Sequence, residues 1–142
     1  MRETKLRWSI LTLASILLIG YYFCYDSPAP LKTALLAPPY NLSENQWSGL
    51  YSIYSLPNMV LPLLGGILIS KIGIRLGLIL FTVILTLGQA VLALGGYQNS
   101  YAVMMMGRFI FGLGGDSMAV AEYAIVCSWF VGKELSFAVG VY

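Results

Sequence analysis

Four stretches of the chain stay apolar for long enough to cross a hydrocarbon core of about 30 Å, which takes about 20 helical residues. They cover residues 8–25, 47–69, 74–95 and 101–130, and a fifth apolar run opens at 135 and continues to 142. Between the first two lies "DSPAPLKTALLAPPYNLSENQ", rich in proline and polar residues, which reads as an extramembrane loop. Pro57 and Pro62 fall inside the second run and predict kinks there. "GGYQNS" is a short connection, so the third and fourth helices are expected to be antiparallel neighbours. The basic-then-apolar start has the look of a secretory signal, but its apolar run is longer than a signal core and lacks a small-x-small cleavage site. It is therefore expected to remain as the first transmembrane helix. The fifth run covers only about two turns, so the expectation is a piece of a longer polytopic protein. A short subunit whose last helix docks on a partner is the alternative.

Composition agrees with this pattern. Of the 142 residues 58% are hydrophobic and 10% charged, against about 25% charged in soluble domains. The expected fold class is all-α, a polytopic membrane helix bundle in a lipid bilayer. A net charge of +2 with no Lys/Arg cluster argues against a nucleic-acid partner. The chain has no histidine, and Cys24 and Cys127 lie far apart in apolar runs, which makes neither a metal spacing nor a disulfide framework. They read as small packing residues. No nucleophile stands near a base, and the glycines of "GLGG" lie in a membrane helix rather than a phosphate-binding loop. No enzyme activity, metal or cofactor is expected.

The basic residues are distributed unevenly. With a cytosolic amino terminus, Arg2, Lys5, Arg7, Lys71, Arg75 and Lys133 all fall on the cytosolic side and Lys32 on the other, as the positive-inside rule asks. Asn41-Leu42-Ser43, a glycosylation acceptor pattern, then faces the lumen or exterior.

The fourth run carries three ionisable residues. At about 100° per residue, Arg108, Gly112, Gly115, Ala119 and Glu122 share a sector of roughly 80°, with Asp116 on its edge. Arg108 and Glu122 stand about 21 Å apart along the axis, too far to pair, and so mark different depths of one polar track. Charges in membrane helices face a bundle interior or a watery cavity, and glycines on the same face admit a neighbouring backbone. Pairing with neighbouring helices is the alternative role for Arg108 and Glu122. Asp26 sits at the far end of the first helix, where it suits either a substrate amine or the cap of the loop at Ser27-Pro28. Tyr51, Tyr54 and Asn58 share a face of the second helix and form a candidate cavity wall, although tyrosines also anchor helices at membrane interfaces. In "GGILISKIGIRLG", Gly66, Gly73 and Gly77 surround Lys71 and Arg75 in a tight turn of about four residues, where glycine permits positive φ.

Two of these stretches carry a resemblance. Gly66-x-Leu68-x-Ser70-Lys71-x-Gly73-x-Arg75 resembles the loop signature between helices two and three of the major facilitator superfamily, and "GRFIFGLGG" resembles its fourth-helix signature. "YYFCYDSP", "LYSIYSLPN" and "WFVGKELSFAVG" further resemble segments of that family's lysosomal dipeptide transporter branch. The resemblance implies a twelve-helix protein that moves dipeptides out of the lysosome as a uniporter, beside a glycosylated lumenal membrane accessory protein. Gly66, Ser70, Lys71, Gly73 and Arg75 would be the conformational gating loop, with Ser70 in place of an aspartate that latches the outward-facing state. The branch also has an arginine near the position held here by Ala124, and its absence bears on dipeptide specificity.

Together these readings predict a secondary transporter of small polar organic solutes, with dipeptides the leading substrate, working by alternating access. This chain would supply helices one to four and the start of five of the amino-terminal six-helix half. Expected substrate-binding residues are Asp26, Tyr51, Tyr54, Asn58, Arg108 and Glu122, with Asp26 and Glu122 for an amine and Arg108 for a carboxylate or for charge pairing. The alternatives are a non-transporting membrane subunit and a major facilitator of another substrate class.

Overall fold

The computed structural model describes residues 2–141, with side chains from Leu6 onward; Tyr142 and the side chains of Arg2 and Lys5 lie outside the described residues. Among these residues the fold is seven helices and no strand: α1 Arg2–Tyr25, α2 Lys32–Leu36, α3 Glu44–Asn58, α4 Leu61–Ile72, α5 Ile74–Tyr97, α6 Tyr101–Trp129 and α7 Lys133–Val141. Three helices, α1 from Leu6, α5 and α6, are long and apolar enough to cross a membrane, and α3 with α4 makes a fourth span bent by 45°.

That bend is the main departure from one continuous second helix. Pro57 lies in the last turn of α3 and Pro62 in the first turn of α4. Neither has an N–H to give to the carbonyl four residues back, so the helix opens between them at Met59 and Val60. The loop after α1 also holds more structure than a polar linker. Its short α2 carries Leu35, which packs with Leu42, Leu50 and Met104. Ser43 then starts α3 through a reciprocal capping box: Gln46 N–H donates to Ser43 Oγ at 3.2 Å, and Ser43 N–H donates to Gln46 Oε1 at 2.9 Å.

Helix α6 is the axis of the bundle, packing against α1, α3, α4, α5 and α7. Its contacts with α5 pair Gly95 with Met104 and Gly88 with Phe111, so the two run antiparallel. Those with α3 and α4 pair Gly49 with Tyr101 and Gly65 with Ser117, so that broken span runs parallel to α6. Helix α1 buries a stripe of Leu11, Ala14 and Tyr21. Leu11 and Ala14 join Val126, Phe130 and Ala138 in a cluster that ties α1 to α6 and α7. At the same end Arg7 Nη1 pairs with Glu134 Oε2 at 2.6 Å.

Candidate functional site

A cleft of about 380 Å³ opens where α1, the end of α3 and the middle of α6 converge. Tyr21, Tyr22 and Tyr25 line it from α1, Tyr54, Ser55 and Asn58 from α3, Met59 from the break, and Asp116 from α6. Its size falls within the range of small-molecule sites.

Asp116 is its chemical centre. Oδ1 lies 2.9 Å from the Tyr21 hydroxyl and 3.4 Å from that of Tyr54, and those two hydroxyls are bonded to each other, so their two protons are shared among three contacts. Gly112, one turn earlier, allows this approach: a methyl group there would lie 2.5 Å from the Tyr54 carbonyl oxygen. Asn58 Oδ1 meets the Asp116 N–H at a long 3.5 Å, while Asn58 Nδ2 has no hydrogen-bond partner among the described residues. Within the same residues no cation pairs with Asp116, and Oδ2 accepts no hydrogen bond. The cleft therefore offers one carboxylate oxygen to a guest, with the buried Asn58 amide N–H₂ behind its wall.

A second polar cluster lies about 12 Å along α6, at Arg108. This side chain is fully buried. Nη2 donates to the Tyr25 carbonyl oxygen at 2.8 Å, and the guanidinium lies 5.5 Å from the centre of the Tyr51 ring and 5.8 Å from that of Phe111. Tyr25 is the last residue of α1, where carbonyls lack intrahelical partners and the dipole is negative. Arg108 thus closes the end of α1. Its Nε and Nη1 have no partner among the described residues. Tyr51 links this cluster to Asp26 by donating its hydroxyl to Oδ1 at 3.3 Å. Asp26 is exposed and lines a wide groove that shares Tyr22 and Tyr25 with the cleft.

The six expected binding residues thus separate. Tyr54 and Asn58 stand in the cleft, Asp26, Tyr51 and Arg108 form the second cluster, and Glu122 is buried about 9 Å beyond Asp116 without lining the cleft. Tyr21 was not among the expected residues, and Asp116 stood only on the edge of the polar sector. The residues expected to form a gating loop occupy a turn tighter than the expected four residues. Gly73 alone separates α4 from α5, at φ +89°, because both helices run fully up to it. Ser70 Oγ donates back to the Gly66 carbonyl at 2.9 Å, and Lys71 and Arg75 are exposed.

Replacing Arg108 with glutamine is expected to remove a charged hydrogen bond of about 1.5–3 kcal/mol. The check is thermal denaturation of the detergent-solubilised full-length protein, which should melt earlier than wild type; equal melting would mean the end of α1 is held elsewhere.

Membrane-spanning helices packed around a central glycine-rich helix, with a polar cleft between them, define a multi-pass membrane helix bundle. The chain belongs to the Major Facilitator Superfamily, whose sequence profile it matches over residues 11–142. It is 44% identical over 136 residues to the Lysosomal dipeptide transporter MFSD1 of Mus musculus and, over the same length, to that of Homo sapiens. Both matches cover 95% of this chain and 29% of the relative, so the chain spans under a third of their length. It is also 27% identical over 143 residues to the Hexuronate transporter of Escherichia coli (strain K12), covering all of this chain and 32% of that protein. No solved structure matches.

Proposed function

We propose that the full-length protein is a secondary transporter that moves dipeptides across a lysosomal or related endomembrane by alternating access, its substrate amine bound at Asp116. The observation that carries this is the Asp116 carboxylate, held by two tyrosine hydroxyls in a 380 Å³ cleft with no cation beside it among the described residues. A carboxylate inside a membrane protein is stable when it meets an opposite charge, and the ammonium group of a peptide supplies one. Asn58 Nδ2, buried and without a partner among the described residues, becomes a donor for a substrate carbonyl oxygen once its side chain turns into the cleft. The name of the relatives that share 44% identity supports dipeptides as the cargo. In this reading the chain contributes four spans and the start of a fifth to the amino-terminal half. Its amino terminus is cytosolic, the Gly66–Arg75 segment serves as the gating loop, and any glycosylated accessory protein meets the lumenal loop.

Hexuronate transport is the second reading, favoured by the two unpartnered nitrogens of Arg108, which suit a carboxylate. Uptake into proteoliposomes containing the full-length protein separates the two. Saturable uptake of a labelled dipeptide that unlabelled glucuronate does not compete is expected. Glucuronate uptake without dipeptide uptake would favour the second reading, and uptake of neither by correctly inserted protein would favour a non-transporting subunit.

A further inference from the structure

Next to Asp116 on α6 is Ser117, 1% exposed and outside the cleft lining. Its hydroxyl donates at 3.1 Å to the carbonyl oxygen of Leu61, the first residue of α4. The Asp116 N–H reaches the side chain of Asn58, the last residue of α3. Two consecutive residues of α6 therefore hold the two sides of the break in the second span. The break itself is weakly held. Met59 and Val60 are 81% and 57% exposed, and two of the three backbone bonds around them are long: Met59 N–H to the Leu56 carbonyl and Leu64 N–H to the Val60 carbonyl at 3.4 Å each, against 3.2 Å from Val60 N–H to the Pro57 carbonyl. At its other end α4 continues into α5 through Gly73 alone. A 12-residue helix jointed at both ends needs lateral support: Ile69 packs in the core against Gly77 at its far end, and the Ser117 contact supplies support next to the break. Gly65, one turn on from Leu61, packs so closely that a methyl group there would lie 2.6 Å from Ser117 Oγ.

We propose that Ser117 is a positioning residue: its bond to Leu61 sets the angle across the break, thereby keeping the Asn58 amide at Asp116, and α4 pivots on this contact during the transport cycle. The idea rests on the transport reading above. The exchange is physically cheap. A serine hydroxyl released from Leu61 can turn to the Leu113 carbonyl one turn back on its own helix, and the Leu61 carbonyl keeps its intrahelical acceptor role. Neither state strands a polar group in hydrocarbon.

The test uses cysteine-depleted full-length protein in proteoliposomes, with spin labels at the exposed positions Ser48 on α3 and Ile67 on α4, with and without Ser117→Ala. Ser117→Ala should shift or broaden the label-to-label distance and raise the half-saturating dipeptide concentration about fivefold, as expected for one lost neutral hydrogen bond, with the maximal rate changed less than twofold. An unchanged distance distribution overturns the proposal, as does a fall in maximal rate with half-saturation and distances both unchanged. Gly65→Ala presses on the same contact from α4 and gives the same distance readout if Ser117→Ala does not fold. A wild type that takes up no dipeptide would defeat the transport reading alone, because the label distances still decide the role of Ser117.

Discussion

Replacing Asp116 with asparagine should lower the proposed dipeptide uptake by the full-length protein about thirtyfold at subsaturating substrate, while its melting temperature stays close to wild type. The size follows from the bond removed. A hydrogen bond to a charged group is worth about 1.5–3 kcal/mol, and about 2 kcal/mol corresponds to roughly thirtyfold in affinity. The fold should survive because the asparagine carbonyl occupies the place of Oδ1 and still accepts from the hydroxyls of Tyr21 and Tyr54. The effect should therefore appear in the half-saturating concentration. Glu122→Gln is the matched comparison, and it is expected to leave that concentration within about twofold, because Glu122 stands outside the cleft. If Glu122→Gln abolished affinity and Asp116→Asn did not, the amine site would lie deeper along α6.

The second large effect concerns the α5–α6 contact on which the cleft is mounted. Gly107 packs directly on the backbone of Leu92: a methyl group there would lie 2.7 Å from Leu92 Cα and 2.9 Å from the Gly88 carbonyl oxygen. Backbone cannot step aside as a flexible side chain can, so the two helices must part around this contact. Overpacking of this kind costs about 1–3 kcal/mol for small insertions and sometimes more. In a membrane the loss is felt fully, because close van der Waals packing itself drives helix association there. Gly107→Ala should lower the melting temperature of the solubilised full-length protein, and Gly107→Val should leave no monodisperse species on size exclusion. A Gly107→Val protein that elutes and melts like wild type would show that α5 and α6 do not touch at this point.

The architecture was largely legible in the residue pattern because a bilayer imposes one rule, about 20 apolar residues per span. The antiparallel α5–α6 pair followed from the six residues of "GGYQNS". Pro57 and Pro62 marked the bend, though not that two missing N–H groups so close together would divide the span into two helices bent by 45°. The site was harder to read. Periodicity along α6 gives the angle of each residue but not which neighbours reach across, so Asp116 looked peripheral beside Arg108 and Glu122. Only the packing shows that Tyr21 and Tyr54 converge on it from two other helices. A usable signal for Tyr21 existed: its helical spacing continues the stripe of Leu11, Ala14 and the partly buried Leu18, whereas Tyr22, which also lines the cleft, is off that stripe and 56% exposed. For Arg108 the charge suggested a carboxylate partner, whereas the partner found is the carbonyl of Tyr25 at the end of α1, a contact no local pattern announces.

The most direct test of an amine site at Asp116 compares one dipeptide with its N-acetylated form as competitors of labelled-dipeptide uptake, in wild type and in Asp116→Asn. Acetylation removes the positive charge and little else. In wild type the free-amine form should compete about thirtyfold better, and in Asp116→Asn the two should compete equally. A preference for the free amine that persists undiminished in Asp116→Asn would contradict the assignment.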